Sequence, residues 1–372
     1  MKRMAFVDLT NFIDWPVGGM LQYELAILPY LAKRFDLDMW GVSVDGKVNS
    51  AIELNGKKYP INIFTDVKTK KKIVPNYWRG LLMYRFKQQF REYDYVYVHT
   101  GSCAVALAKI INRNNTKLIY HQHGLSHLHD RAIMSLIQRP FVNGAQYLAD
   151  VVFVVSDNES VREYANSIKN KLKGIMLPIG SPIDLSLFTK NEEKIKSGIL
   201  NLVYTGRIDS HKSVATLIEM IDEYSKINQN FLLTIVGDGD ERQNVEKMVS
   251  NLNLGNHVVF TGALPRMQVL EELKRSDIYV TASIGEGVSI SVLEAYASGL
   301  PVVCFNVLGL ARQVVDYHTG RVVPGRDVRQ MANAIEEIRL KLNTYSRNSL
   351  LEAEKYDAVA ISEFIANTIM EG

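Results

Sequence analysis

The sequence predicts an α/β protein made of two doubly wound, Rossmann-like parallel-sheet domains that face a cleft. A length of 372 residues is enough for two or three domains. Short apolar runs alternate with helical patterns twice, within 4–155 and again within 200–305. Such alternation is typical of parallel sheets covered by helices on both faces. Prolines and a glycine break the pattern between the two stretches, so we place the linker at 180–187.

Composition narrows the class of protein. Hydrophobic residues make up 47% of the chain and charged residues 22%, which is enough apolar material for full cores. A net charge of +3 does not indicate nucleic acid as a partner. The two cysteines, Cys103 and Cys304, lie in apolar segments and favour a reducing cytosol over a disulfide framework. We see no signal peptide and no membrane span, and expect a cytoplasmic protein, soluble or peripheral on the inner face of the cell membrane.

The first domain opens with a strand, a glycine turn and a helix. The strand is predicted at Met4–Leu9 and the helix at Met20–Lys33, with Gly18 and Gly19 between them. This order starts a βαβ unit. Glycines at this position let backbone N–H groups approach a phosphate closely, although an ordinary tight turn also accounts for them.

The rest of the first domain continues the alternation. Strands are predicted at Leu37–Val44, Ile61–Thr65, Tyr95–His99, Lys117–His121 and Val151–Val155. Helices are predicted at Tyr77–Arg91, Cys103–Arg113 and Arg131–Leu148. Ser156 and Glu159 form a capping box for the next helix.

Two unusual runs in this domain each have two interpretations. Lys68–Lys72 reads KTKKK and precedes the basic, aromatic-rich helix at Tyr77–Arg91, which indicates a patch on anionic lipid. The alternative is a solvated basic face over an ordinary core.

Four histidines lie close together in YHQHGLSHLHD, namely His121, His123, His127 and His129. No nearby cysteine supports a metal, and one short run would have to fold back on itself, so we predict no metal site.

The second domain repeats the pattern. Strands are predicted at Leu202–Thr205, Leu232–Val236, Val258–Thr261, Ile278–Thr281 and Val302–Phe305. Helices are predicted at Val214–Ile227, Glu241–Leu252, Arg266–Lys274, Val328–Leu340, Ser349–Tyr356 and Ala358–Met370.

Ligands of open α/β sheets bind beyond the carboxyl ends of strands, and three turns at such ends carry candidate residues. Gly206, Arg207 and Lys212 follow the first strand of the second domain, and arginine and lysine are the usual phosphate-binding cations. The next two turns contain, in order, Gly237, Asp238 and Gly239, and then Gly262, Ala263 and Leu264.

A further helix is predicted within GEGVSISVLEAYASGLP, at residues 285–301. Its first residues would be Gly287, Val288, Ser289 and Ile290, whose N–H groups lack intrahelical partners and form an anion site.

Two glutamates bracket that anion site. On a continuous helix Glu286 and Glu294 would lie roughly 12 Å apart, so they would hold the two ends of an elongated ligand. A sugar, a diphosphate and a nucleoside in line fit this length. The alternative is that both glutamates are solvated surface acids.

These residues resemble a known family, the retaining glycosyltransferases of the GT-B fold, glycosyltransferase family 4. Its E-x7-E motif followed by EA-A-G-PV is present here as Glu286, Glu294, Ala295, Ala297, Gly299, Pro301 and Val302. The resemblance covers nearly all of 200–372 and, more loosely, 1–180. It implies an acceptor-binding domain at 1–182 that includes the C-terminal helix 357–372, and a donor-binding domain at 183–356.

The resemblance also implies roles. The backbone of Gly18 and Gly19 would face the donor diphosphate, and His123, followed by Gly124, would contact the donor sugar. Arg207 and Lys212 would bind the diphosphate. In the second domain the backbone at Ala263 and Leu264 would meet the nucleobase, Glu294 the ribose and Glu286 the sugar.

The predicted function is retaining transfer of a hexose-type sugar from a nucleoside-diphosphate sugar to a glycan or lipid-linked saccharide, in cell-surface polysaccharide synthesis. A uridine diphosphate donor ranks ahead of a guanosine diphosphate one. Glu286, His123, Arg207 and Lys212 are the predicted catalytic residues, with no metal or other cofactor required. The alternatives are a nucleotide-sugar epimerase and a non-catalytic partner subunit.

Overall fold

The computed structural model describes residues 1–13, 19–44, 51–67, 76–125, 133–156, 158–188, 198–286, 288–307 and 309–371. The chain forms two compact units. One contains Met1–Pro182 together with the C-terminal segment Ala358–Gly372, and the other is Ile183–Asp357.

The described residues of the first unit form one sheet of eight strands. The strands are β1 Arg3–Val7, β2 Asp36–Ser43, β3 Ala51–Leu54, β4 Lys57–Asp66, β5 Tyr95–Val98, β6 Lys117–Gln122, β7 Val151–Val155 and β8 Ile175–Ile179. The α-helices are α1 Gly19–Arg34, α2 Gly101–Ala108, α3 Ile133–Leu148 and α4 Asn158–Ile168, and the C-terminal helix Ala358–Glu371 belongs to the same unit.

The order of strands in this sheet brings three strand ends close together. The order is β3-β4-β2-β1-β5-β6-β7-β8, and β3 is antiparallel to β4 while the other pairs are parallel. Because β1 lies between β2 and β5, the chain changes direction across the sheet at β1 and β5. Polar residues that follow β1, β5 and β6 therefore meet at one edge.

In the second unit, the part of the chain that the structure describes forms six parallel strands. They are β9 Leu200–Thr205, β10 Phe231–Val236, β11 Val258–Gly262, β12 Ile278–Thr281, β13 Val302–Phe305 and β14 Gly320–Val323. The helices are α5 Val214–Ser225, α6 Arg242–Asn251, α7 Arg266–Arg275, α8 Ile290–Ala297, α9 Leu310–Gln313, α10 Val328–Leu340 and α11 Leu342–Ala353.

The strand order β11-β10-β9-β12-β13-β14 is that of dinucleotide-binding α/β folds, with the switch point between β9 and β12. Both faces of this sheet are buried. Leu202 and Tyr204 of β9 pack into one apolar cluster, and Val203 between them packs into another. Successive strand residues point to opposite faces, so a sheet covered on both sides requires an unbroken apolar run.

The structure corrects several predicted elements. The helix predicted at Tyr77–Arg91 is instead two 3-10 segments, Asn76–Phe86 and Gln89–Arg91. Strands β3, β8 and β14 were not predicted; β3 carries the exposed Glu53, β8 contains Pro178, and β14 is only four residues long. In the described ranges no helix has the length and apolar character to cross a bilayer. Cys103 and Cys304 are buried free thiols.

Candidate functional site

The loops that follow β9 and β12 meet at the switch point of the second unit. The Lys212 ammonium group forms an ion pair with the Glu286 carboxylate, and their side chains are 21% and 14% exposed. Two hydrogen bonds of His211 also join the loops. Ile284 N–H donates to the His211 carbonyl at 2.9 Å, and the side-chain Nε2 of His211 lies 2.6 Å from the Gly285 carbonyl oxygen. A cation and a carboxylate from distant parts of the sequence thus share one site.

Arg207 is the second predicted cation at this edge. Its side chain is 75% exposed and pairs with Asp209 at 3.1 Å. The Asp209 side chain also accepts the Lys212 backbone N–H at 2.9 Å, which orders the loop that carries Lys212. The structure therefore places Arg207 on the same loop as Lys212, with its guanidinium group in solvent.

Three glycine turns pack against one another at the ends of β9, β10 and β11. Gly206 N–H donates to the Val236 carbonyl at 3.0 Å, and Gly237 N–H donates to the Gly262 carbonyl at 2.9 Å. Gly237 has a φ of 142°, and a Cβ there would lie 1.9 Å from the Gly206 oxygen. Close packing of turns explains these glycines, and both amides are already hydrogen-bonded within the protein.

The predicted start of the helix after Glu286 is wrong. Helix α8 begins at Ile290, so Val288 and Ser289 precede it, and Gly287 lies outside the described residues. Ser289 N–H is also not free, because it donates to Gln313 Oε1 at 2.9 Å while Gln313 Nε2 donates to the Ser289 carbonyl at 2.8 Å. Since Glu286 is not helical, its separation from Glu294 does not follow from the helical rise.

Gln313 was not predicted, and no motif in the sequence indicates it. Its buried side chain comes from α9 and holds both backbone groups of Ser289, the residue before α8. The Ser289 N–H group is therefore not available to the anion site expected at this helix.

Glu294 lies within α8 and is almost fully buried. It forms an ion pair with Arg266, the first residue of α7, and the two side chains are 6% and 35% exposed. Arg266 was also missed, although it follows Leu264 by two positions in the turn predicted to meet a nucleobase. In that turn Ala263 is exposed and Leu264 half-buried.

In the first unit, His123 belongs to a buried polar cluster. His123 Nε2 lies 2.8 Å from Nδ1 of His99, and that same Nδ1 lies 3.4 Å from Oε1 of Glu24. Burial lowers the pKa of His123 to about 4 and lowers the pKa of His99 and His121 well below 6.5, so all three rings are neutral at pH 7. His121 Nδ1 is bonded to the Tyr97 hydroxyl at 2.6 Å.

The cluster resembles a metal site in one respect, because ligand-type atoms of Glu24, His99 and His123 all lie within 4.8 Å of one another. However, the two imidazole nitrogens are only 2.8 Å apart. Two ligand atoms of a tetrahedral zinc ion would be separated by about 3.3 Å. A hydrogen bond fits this contact better than a shared ion. His127 and His129 lie outside the described residues.

The remaining predicted residues of the first unit lie near that cluster in the chain. Gly18 is outside the described residues, and Gly19 is the first residue of α1. Gly124 has a φ of 92° and its carbonyl accepts the Gln122 side-chain amide at 2.7 Å.

The sequence profile of the family "Glycosyl transferases group 1" matches residues 188–350. The matched segment makes up less than half of the chain. It contains Arg207, Lys212, Glu286 and Glu294, whereas His123 lies outside it.

Individual relatives match part of the chain. Alpha-monoglucosyldiacylglycerol synthase of Streptococcus pneumoniae is 25% identical over 218 residues, covering 55% of this chain and 48% of the relative. A GDP-mannose-dependent phosphatidylinositol monomannoside mannosyltransferase of Mycolicibacterium smegmatis is 31% identical over 144 residues, covering 37% of this chain and 38% of the relative. The chain thus spans about half or less of the length of these curated relatives.

Solved structures match the whole chain at low identity. Sucrose-phosphate synthase from Thermosynechococcus elongatus superposes with a TM-score of 0.78 at 20% identity, covering 100% of this chain and 99% of that one. HepE from Anabaena, solved with UDP and glucose, gives a TM-score of 0.73 at 19% identity and covers 100% of both chains. The fold of the chain is accordingly GT-B, as the sequence predicted.

Proposed function

We propose that this chain is a retaining glycosyltransferase that moves a hexose-type sugar from a nucleoside-diphosphate sugar to a hydroxyl group of a glycan or lipid-linked saccharide. The observation that carries the proposal is the Lys212–Glu286 ion pair at the switch point of the second unit, within the segment that matches the group 1 profile. HepE was solved with UDP and glucose, which supports a uridine diphosphate donor. The diacylglycerol named in the pneumococcal relative supports a lipid-linked acceptor. We place the reaction in the synthesis of cell-surface polysaccharide.

Each end of the donor has a proposed partner in the second unit. The diphosphate binds Lys212 and Arg207, which counter the charge that develops as the bond to the sugar breaks. The ribose hydroxyls bind Glu294 in exchange for its contact with Arg266. The backbone at Ala263 and Leu264 meets the nucleobase, and Glu286 faces the sugar.

The first unit supplies the remaining proposed contacts. His123 binds the donor sugar, and the segment that holds Gly18 and Gly19 faces the diphosphate. The bond from the anomeric carbon to the diphosphate breaks, and the acceptor oxygen bonds to that carbon on the same face, so the configuration is retained. The proton of the acceptor hydroxyl group passes to an oxygen of the departing diphosphate.

Binding and product analysis test this function. We expect one class of nucleoside diphosphate, among uridine, guanosine and adenosine forms, to raise the melting temperature, and its sugar to be transferred with retained anomeric configuration by NMR. Conversion of donor incubated alone would indicate the epimerase, and no binding of any nucleotide would indicate the partner subunit. Either result would refute the proposed transfer.

Transfer should not require a divalent ion. Many transferases hold Mg²⁺ or Mn²⁺ on the departing diphosphate with paired aspartates. Here Asp238 instead pairs with Arg242 at 3.1 Å, while Lys212 and Arg207 supply positive charge at the switch point. We therefore expect full activity in excess EDTA. Activity that EDTA abolishes and Mn²⁺ restores would contradict the prediction.

Alanine substitutions of the two glutamates should change different kinetic parameters. Glu294→Ala is expected to raise KM for the donor with little change in kcat, because the ribose does not react and loses only uniform binding. Glu286→Ala is expected to lower kcat, because it faces the sugar and orders Lys212. Steady-state kinetics on both variants measure kcat and KM. A change in KM alone in both variants would show that Glu286 does not act on the sugar end of the donor, where the bond breaks.

Exposed aromatic and basic side chains in the first 3-10 segment lead us to predict weak association with membranes. Trp78, Leu81 and Tyr84 of the first 3-10 segment are 42%, 37% and 56% exposed, in a basic stretch with Arg79 and Arg85. The run at 68–72 lies outside the described residues. We expect sedimentation with anionic liposomes that weakens at high salt. Equal recovery with neutral and anionic vesicles at low salt would argue against a lipid-binding patch.

A further inference from the structure

Three polar groups from three elements of the first unit converge on one point. Glu24 comes from α1, His99 follows β5 and His123 follows β6. His99 Nδ1 is the shared atom, at 2.8 Å from His123 Nε2 and 3.4 Å from Glu24 Oε1. The side chains of His99 and Glu24 are both 0% exposed. The function proposed above uses His123 and leaves Glu24 and His99 without a role.

The state of Glu24 follows from its other neighbour. Burial and the adjacent Asp8 carboxyl group raise the pKa of Glu24 well above its usual range. The Thr100 hydroxyl donates to Asp8 Oδ1, which favours the charged form of Asp8 over that of Glu24. Asp8 Oδ2 is buried without a hydrogen-bond partner among the described residues. We therefore place the Glu24 proton toward Asp8, which leaves Glu24 Oε1 as an acceptor 3.4 Å from His99 Nδ1.

The proton on His99 then has only one favourable position. A proton on Nε2 would leave a buried N–H group without a hydrogen-bond acceptor among the described residues. It would also set the lone pairs of Nδ1 and Glu24 Oε1 against each other at 3.4 Å. A proton on Nδ1 removes both problems, since buried acceptors without partners are tolerated better than buried donors.

We propose that Glu24 and His99 are positioning residues that hold His123 as its Nδ1–H tautomer. With His99 donating from Nδ1, His123 Nε2 accepts, and the single proton of the neutral His123 ring must lie on Nδ1. Tyr23 packs edge-on against the His123 ring at 5.2 Å and His121 lies 5.1 Å from it, which restrains the ring's rotation. His123 is thus a fixed hydrogen-bond donor and not a general base.

The catalytic consequence rests on the proposed function. The N–H group at His123 Nδ1 donates a hydrogen bond to a hydroxyl oxygen of the sugar that is transferred. This contact orients the sugar without removing a proton from it. The tautomer itself requires no substrate, so it can be measured whether or not the proposed transfer is correct.

Nitrogen NMR of the full-length protein with ¹⁵N-labelled histidine tests the tautomer. We expect His123, assigned by its absence in His123→Asn, to show a protonated Nδ1 and an unprotonated Nε2, with no titration between about pH 6 and 8. Glu24→Gln keeps an oxygen beside His99, and His99→Asn keeps a donor near the Nδ1 position, so both should preserve the tautomer. Glu24→Met removes the acceptor that faces His99 Nδ1 and should populate the Nε2–H form of His123. His99→Leu removes the partner of His123 Nε2, so by the same rule for buried donors it should leave the proton on Nδ1.

Kinetics separate a positioning role from a merely structural one. We expect Glu24→Met to lower kcat by about 10-fold, the effect of one misdirected hydrogen bond, with KM for the donor nearly unchanged. Glu24→Gln should retain kcat, and His318→Asn, at an exposed site in the second unit, serves as the control.

Several outcomes would overturn the proposal. These are a protonated Nε2 on wild-type His123, an unchanged tautomer in a folded Glu24→Met, or one equivalent of Zn²⁺ bound by the purified protein, which would make the cluster a metal site. If Glu24→Met and His99→Leu do not fold, the wild-type tautomer still decides. An enzyme without transferase activity but with the expected tautomer would refute only the proposed function.

Discussion

Replacing Lys212 by alanine is expected to lower kcat by at least about 10²-fold, since a fixed donor aimed at developing negative charge contributes on the order of 3 kcal/mol. Lys212 is held in place by Glu286, and both side chains are largely buried. The substitution removes the cation and leaves the Glu286 carboxylate without its partner at the site where a diphosphate has to bind. Steady-state kinetics with the donor found in the binding panel measure the loss.

A matched lysine separates this effect from a general loss of charge. Lys226, just after α5 in the same unit, pairs with Asp222 and Glu223 but is 58% exposed. Exposed pairs of this kind contribute little, so Lys226→Ala should keep wild-type kcat. If Lys212→Ala behaved like Lys226→Ala, the assignment of the diphosphate to this ion pair would be wrong.

Replacing Gly237 by alanine is expected to destabilise the second unit by about 3 kcal/mol or more. The new Cβ would lie 1.9 Å from the Gly206 oxygen, in a backbone conformation with φ 142° that side chains rarely adopt. Relief requires the ends of β9 and β10 to separate, which would also break the hydrogen bond from Gly206 N–H to Val236. Thermal unfolding followed by circular dichroism should show the loss.

Gly255 provides the control for this prediction. A Cβ at Gly255 meets no heavy atom within 4 Å, so Gly255→Ala should leave the melting temperature nearly unchanged. Similar melting curves for Gly237→Ala and the wild type would show that the glycine turns are not as tightly packed as described.

The fold was largely predictable because each sheet is buried on both faces. In β9 consecutive apolar residues are required, and runs such as LVY at 202–204 reveal strands without any alternation. Prediction failed where this pattern is weak. The edge strand β3 carries an exposed Glu53, and the 76–91 stretch has helical apolar spacing yet forms 3-10 turns.

The candidate site was predictable only in part. Arg207, Lys212, Glu286 and Glu294 follow from residue types at strand ends and from a helical pattern, and their ligand-binding roles stay predictions. Gln313 and Arg266 were missed because their contacts depend on side chains from separate elements. The prediction of a free Ser289 N–H group was wrong for the same reason, since Gln313 accepts a hydrogen bond from it.

The sequence by itself determined which chemical groups stand at the strand ends, because local patterns mark where each strand stops. Only the tertiary structure decided which of those groups meet. Lys212 and Glu286 are 74 positions apart and form a pair because β9 lies next to β12 in the sheet. Glu24, His99 and His123 meet because β5 pairs with both β1 and β6, and α1 carries a glutamate into that edge. Strand order is set by how whole helices and strands bury their apolar faces together, and no short stretch of sequence contains that information.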